Sequence, residues 1–220
     1  MRFQSAIQLT LAFFFGTRTC AQSTADPASF VNLFIGTTNG GHVFPGATLP
    51  HGMVKAGMDT DTPGAQAGYD SDPSFNVTGF SSLHNSGTGG SVSLSHFKIF
   101  PSINGGAFQD CPTSLNNRKV LRKTLSNGTA DDFASPGYFS TNLTTGVRVE
   151  LTATAKASIQ RHTFPASTDG SPPRIIVDVT SAAGNTGTLP TLQINSTSGQ
   201  VAVVISRTGS GPDDTLFLDA

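Results

Sequence analysis

Apolar residues in this chain come in short patches with a period of two. The clearest is Val147-Arg148-Val149-Glu150-Leu151-Thr152-Ala153, with Val147, Val149, Leu151 and Ala153 on one face and Arg148, Glu150 and Thr152 on the other. That alternation predicts a half-buried strand. Residues 159–164 form a second such piece, stopped by Pro165, and the Arg-Ile-Ile-Val-Asp-Val run at 174–179 predicts a strand buried on both faces. Residues 192–195, 200–206 and 215–218 continue the series, with Gly- or Pro-bearing turns between them. Nearer the start, residues 30–59 break into brief apolar pieces bounded by Gly and Pro, the sign of short strands joined by shaped loops. Residues 93–103 alternate Leu94, His96 and Lys98 against Ser95, Phe97 and Ile99, and predict a strand. Residues 60–92, rich in Gly, Ser, Asp and Asn, predict one long ordered loop. The expected fold is all-β, a two-sheet sandwich with long Gly-rich loops. No internal repeat interrupts the pattern.

Composition narrows the class. Charged residues are 12% of the 220, about half the usual share, and Glu150 is the single glutamate. Helix surfaces need more charge than this, which excludes a helical bundle. A net charge of −1 without a basic cluster argues against a nucleic-acid partner. The length suits one domain or two small ones.

The first 21 residues read as a secretory signal peptide: Arg2, then an apolar stretch with Leu9, Leu11, Phe13, Phe14 and Phe15, then Thr19-Cys20-Ala21 ending on a small residue. The stretch is too short to span a bilayer, which takes about 20 residues, and no membrane partner is expected. Residues 22–29 form a short polar leader, and the domain proper is taken as 30–220. Sequons at Asn76, Asn127, Asn142 and Asn195 are candidate glycosylation sites and fit a secreted, extracellular protein. With Cys20 removed, Cys111 is left without an internal disulfide partner: it is buried and free, or pairs with chain beyond this sequence. The last residues, Leu216-Phe217-Leu218-Asp219-Ala220, lie inside a strand-like run, and the domain is expected to be truncated there.

Standard catalytic signatures are missing: no Gly-x-Ser-x-Gly elbow, no phosphate-binding loop, no dinucleotide fingerprint. The histidines His42, His51, His84, His96 and His162 are scattered and offer zinc no paired ligands. Glycoside hydrolysis needs two carboxyl groups flanking the bond. Glu150, beside Arg148 on a polar strand face, reads as half of a solvated cross-strand ion pair; Asp70 and Asp72 are either loop ligands or Asx turns near Pro73. No catalytic residue and no metal ligand is assigned. Two loops remain candidates: residues 38–47, where glycines allow close backbone approach beside His42 and Phe44, and residues 79–90, where short donors and acceptors surround His84.

These segments together carry a resemblance. Val31-Asn32-Leu33-Phe34-Ile35-Gly36 and Gly41-His42-Val43-Phe44-Pro45-Gly46-Ala47-Thr48-Leu49-Pro50-His51-Gly52-Met53-Val54, then Gly68-Tyr69, Gly79-Phe80-Ser81, His84 and Ser86-Gly87-Thr88-Gly89, follow in one order. Ser135-Pro136-Gly137-Tyr138-Phe139-Ser140, Val149-Glu150-Leu151-Thr152-Ala153-Thr154 and Arg161-His162-Thr163-Phe164-Pro165 complete the set. The chain resembles the N-terminal domain of glycoside hydrolase family 92, secreted or periplasmic exo-α-mannosidases. The resemblance implies a mutarotase-like β-sandwich joined to a C-terminal (α/α)6 domain that holds the general acid, the general base and most calcium ligands. It implies that mannose is cut with inversion, that calcium acts in the full-length enzyme without being fully bound by this chain, and that the fragment alone is inactive. Carried over as substrate-side candidates are His42, Tyr69, His84, Ser86, Gly87, Thr88 and Gly89, with mannose-containing glycans and the C-terminal catalytic domain as partners. Ser82 stands where the family often has His, and the absence of Trp leaves sugar stacking to Phe or Tyr. The alternatives are a stand-alone carbohydrate-binding sandwich without catalysis and a bare structural fragment.

Overall fold

The computed structural model describes residues 25–63, 67–84, 98–103, 111–112, 114, 116–168, 170, 172–178, 191–195, 197–198, 200–205 and 214–218. The signal-peptide reading of residues 1–21 lies outside them. A 3-10 turn at Pro27–Phe30, capped by the Asp26 carboxylate accepting from the Ala28 amide at 3.0 Å, leads into the strands. These are β1 (Ala47–Thr48), β2 (Lys55–Thr60), β3 (Val77–Ser81), β4 (Lys98–Ser102), β5 (Asp132–Ser135), β6 (Tyr138–Asn142), β7 (Arg148–Ala153), β8 (Ser158–Thr163), β9 (Arg174–Asp178), β10 (Thr191–Asn195), β11 (Gln200–Ile205) and β12 (Asp214–Leu218). All pairings are antiparallel. One sheet runs β1-β2-β3-β4-β9, a second β5-β6-β7-β8, and β10-β11-β12 form a three-stranded meander. Among the described residues no helix is long and apolar enough to cross a membrane.

The domain is a β-sandwich, as the alternation predicts. Its core draws Ala56 and Met58 from β2, Val77 and Phe80 from β3 and Phe100 from β4, and packs them with Phe139 from β6 and Val149 and Leu151 from β7. The second sheet is a plain up-and-down meander. Between β5 and β6 the chain turns on Pro136-Gly137, where Gly137 takes φ 79°, a left-handed conformation that other residues adopt only with strain. The β7–β8 turn is closed by Thr154, whose hydroxyl oxygen accepts from the Ala157 amide at 3.0 Å.

Three expectations need correction. Residues 60–92 are not one loop: β2 runs on to Thr60, and β3, buried along its whole length, begins at Val77. Gly79 and Ser81 disguise that strand in the sequence, because small residues allow tight packing without an apolar signature. Only residues 98–102 of the 93–103 segment are seen as strand, since 93–97 lie outside the described residues, and β4 is buried nearly throughout instead of alternating. Finally, β9 is not buried on both faces; it lies at the end of its sheet beyond β4, and Ile175 is 46% exposed.

His162 on β8 packs its ring edge-on against Phe80 of β3, centroids 5.9 Å apart, and so joins the two sheets. Burial pushes its pKa down to about 4, because the charged ring would lose water and gain no counter-ion. The unfolded chain titrates this histidine near 6.5, so between 6.5 and about 4 the unfolded state binds the extra proton. Stability therefore falls as pH drops through that window, by up to about 3 kcal/mol. Urea titrations from pH 7 to 4 should show this slope, and His162→Phe should flatten it. An unchanged slope in the variant would assign the effect elsewhere.

Candidate functional site

The two candidate loops meet at one point. Phe44, from the first, stacks on the imidazole of His84, from the second, with ring centroids 4.6 Å apart and planes 33° apart. Two glycines make the slot: a Cβ on Gly46 would lie 2.2 Å from the Phe44 ring, and one on Gly57 of β2 would lie 2.3 Å from it. Close approach, not a special φ, is the reason for glycine at these two positions.

Beneath Phe44 lies a buried polar cluster built on β2 and β3. His84 Nε2 is 2.9 Å from Asp59 Oδ1, and its Nδ1 is 2.8 Å from the carbonyl oxygen of Lys55. The carbonyl oxygen only accepts, so Nδ1 donates to it, while Nε2 faces both the Asp59 carboxylate and the Ser81 hydroxyl, 3.1 Å away. Ser81 Oγ donates to Asp59 Oδ2 at 3.0 Å, and Lys98 Nζ stands 3.8 Å from the same oxygen. The Asp59 and His84 side chains are 2% and 0% exposed. Burial alone would raise the Asp59 pKa; the charges of His84 and Lys98, with the hydrogen bonds from His84 and Ser81, outweigh it and hold the carboxyl below its ordinary value. Such a carboxylate has no proton to donate. Chemically the cluster is a clamp: it ties the chain after β3 to β2 and gives Phe44 a rigid ring to stack on.

A second cluster anchors Tyr69. Its hydroxyl donates to Asp132 Oδ2 at 2.7 Å, and Arg122 Nη1 donates to the same oxygen at 2.6 Å while its guanidinium lies 5.5 Å over the Tyr69 ring. Arg122 Nη2 donates to the carbonyl of Asp72, closing the turn that follows Tyr69. Burial and the neighbouring Asp132 charge push the phenol well above its ordinary pKa. Tyr69 thus sits in the core, 1% exposed, with its hydroxyl already engaged.

The remaining candidates separate clearly. His42 is exposed on the first loop, while Ser86, Gly87, Thr88 and Gly89 lie outside the described residues. Asp70 and Asp72 are Asx turns: Asp70 Oδ1 accepts from the Asp72 amide at 2.9 Å, and Asp72 Oδ1 from the Ser74 amide at 2.9 Å. Glu150 is an ion pair, though its nearer partner is Arg161 across the strand at 2.6 Å, with Arg148 at 3.6 Å and the Tyr138 hydroxyl at 2.7 Å. The hydrogen bonds from Arg161 and Tyr138 lower its pKa to about 2, which rules out service as a general acid. Ser82 Oγ hydrogen-bonds Ser158 Oγ of β8 at 2.6 Å, a second link between the sheets. Cys111 is a free thiol in contact with Arg174, whose Nη1 is 3.2 Å from Sγ. Sequence reasoning missed Asp59, Lys98, Arg122 and Asp132. The available signal was a charged residue inside an otherwise buried run, as in Ala56-Gly57-Met58-Asp59-Thr60.

The described residues form an all-β domain whose loops are clamped by buried charges. The model of the glycosyl hydrolase family 92 N-terminal domain matches residues 30–215, and the chain belongs to that family. A protein described as an uncharacterized secreted glycosidase, from Arthroderma benhamiae, is 40% identical over 169 residues, covering 74% of this chain and 21% of that relative. Among solved structures, the GH92 family glycosyl hydrolase ccman5 superposes with a TM-score of 0.61 at 21% identity, covering 86% of this chain and 25% of that one. The family GH92 inverting mannosidase from Bacteroides thetaiotaomicron gives 0.62 at 20% identity, with 86% and 24% covered. The chain therefore spans about a fifth to a quarter of the relatives it matches.

Proposed function

We propose that this chain is the substrate-side domain of a secreted α-mannosidase that removes terminal α-linked mannose from N-glycans or mannans with inversion. The observation that carries the reading is the convergence of the two family-like loops on the Phe44–His84 contact, within a family-model match at residues 30–215. In this reading the clamp fixes loop 38–47 against His84, and a second domain completes the sugar pocket against this face. His42 and the 86–89 segment offer the polar contacts, and Tyr69 and His84 act from behind by positioning the backbone. Calcium in this reading acts in the remainder of the enzyme, as the family resemblance implies.

The test is mannose release from α-linked mannobiose, followed by NMR to read the anomer formed first. The full-length enzyme is expected to release β-mannose and the isolated 220-residue chain to release none. Comparable turnover by the isolated chain, or α-mannose as first product, defeats the reading. Mannobiose binding by an isolated chain without a catalytic partner would favour the carbohydrate-binding alternative.

A further inference from the structure

The four sequons are chemically alike in sequence but fall into two structural kinds. At Asn127 the side chain sits in an exposed turn, and Oδ1 accepts from both the Thr129 amide at 3.0 Å and the Thr129 hydroxyl at 2.7 Å. Those bonds use the oxygen alone, so the amide nitrogen has no partner among the described residues, and the sequon is held in an open Asx turn. At Asn195, at the end of β10, Oδ1 likewise accepts from the Thr197 and Ser198 amides at 3.0 and 3.2 Å, and residues 195, 197 and 198 are exposed.

The other two asparagines have turned the nitrogen inward. Asn76 Nδ2 donates to Asp61 Oδ2 at 3.0 Å while its backbone amide donates to Oδ1 at 2.8 Å, and Asp61 is itself paired with Lys119 at 3.1 Å. The rest of that sequon is strand β3: Val77 is 0% exposed, and the Thr78 hydroxyl donates to the Asp59 carbonyl at 3.3 Å. Asn142 Nδ2 donates to Asp131 Oδ2 at 2.9 Å, Leu143 is 0% exposed, and the Thr144 hydroxyl donates to the Leu121 carbonyl at 3.0 Å. Both asparagines are half-buried, and a sugar on either nitrogen would replace one of its two hydrogens next to an aspartate that already engages it.

We infer that Asn127 and Asn195 are the N-glycan acceptors of this domain, whereas Asn76 and Asn142 are structural asparagines whose sequons stay bare in the folded protein. The modification replaces one Nδ2–H by a bond to the anomeric carbon of the transferred oligosaccharide, with the lipid pyrophosphate of its donor as leaving group. A chain glycosylated at Asn76 or Asn142 before folding must fit the sugar beside Asp61 or Asp131 with one hydrogen left on the nitrogen, and is depleted from the secreted, folded pool. The inference rests on the secretory reading, and the test separates the two.

The full chain is secreted from a yeast host twice, once with residues 1–21 as leader and once with a host leader. Glycans are removed enzymatically in 18O-water, and the labelled aspartates that result are mapped by peptide mass spectrometry. Label at Asn127 and Asn195 alone is expected, with the double variant Asn127→Gln/Asn195→Gln losing all enzyme-sensitive mass while keeping its β-rich circular dichroism. Label at Asn76 or Asn142 in the folded pool, or a bare Asn127 or Asn195, overturns the inference. Secretion only with the host leader, with the expected label, refutes the secretory reading and leaves the site assignment standing.

Discussion

Replacing His84 by alanine should destabilise the domain by about 3–5 kcal/mol, the usual cost of leaving one member of a buried ion pair without the other. Asp59, 2% exposed at its side chain, would keep only the Ser81 hydroxyl and a Lys98 ammonium 3.8 Å away. Against a typical total stability of 5–15 kcal/mol this is a large fraction, and thermal or urea melts would show it directly. Removing both partners, as Asp59→Ala/His84→Ala, should cost less than the sum of the single changes, because no charge is stranded. The pH dependence has a definite sign. Asp59 is held below its ordinary value of 3.8 in the fold, so its contribution is present above about 3.8 and is lost as pH falls through the lower, folded value. In His84→Ala that support is gone, and acid unfolding should begin at higher pH. A loss below about 1 kcal/mol, the range of a solvated pair, would mean that the clamp is open to water.

Arg122→Met should be of comparable size, about 3–5 kcal/mol, for the same reason acting in a different place. It leaves the Asp132 carboxylate, 3% exposed at its side chain, with the Tyr69 hydroxyl alone, and deprives the Asp72 carbonyl of its donor. Tyr69→Phe removes one charge-assisted hydrogen bond and keeps the ring, so about 1.5–3 kcal/mol is expected. Limited proteolysis distinguishes this cluster from the His84 clamp: cleavage near residues 70–76 should accelerate in Arg122→Met and not in His84→Ala. Equal protection of that segment in all three proteins would show that the turn is held by its Asx hydrogen bonds and not by Arg122.

The two clusters explain how a chain with so few charges positions its loops. Ion pairs in the interior tie distant segments of the chain together, and Cys111 lies beside an arginine. Tyr69 and His84 act as supports within the fold: each is buried, each has its polar atoms engaged, and each fixes a backbone segment.

In the second sheet β7 and β8 were legible in the residues because each reports its own environment, whereas β5 and β6 were not read as strands. Val149 and Leu151 face the core while Arg148 is exposed, as period-two alternation requires. Buried β3 was not legible: a strand packed on both faces needs small residues, and Gly79 and Ser81 look like loop residues. The Glu150 pair was half legible, since its neighbour Arg148 is visible two positions away but Arg161 becomes its closer partner only through the register of β7 on β8. Asp59 with His84, and Arg122 with Asp132 and Tyr69, belong wholly to the tertiary structure. Local pattern determines which face a side chain takes, because that depends on backbone geometry over a few residues. Which charge meets which inside the sandwich depends on how sheets and loops distant in the chain are brought together, and only the packed fold decides it.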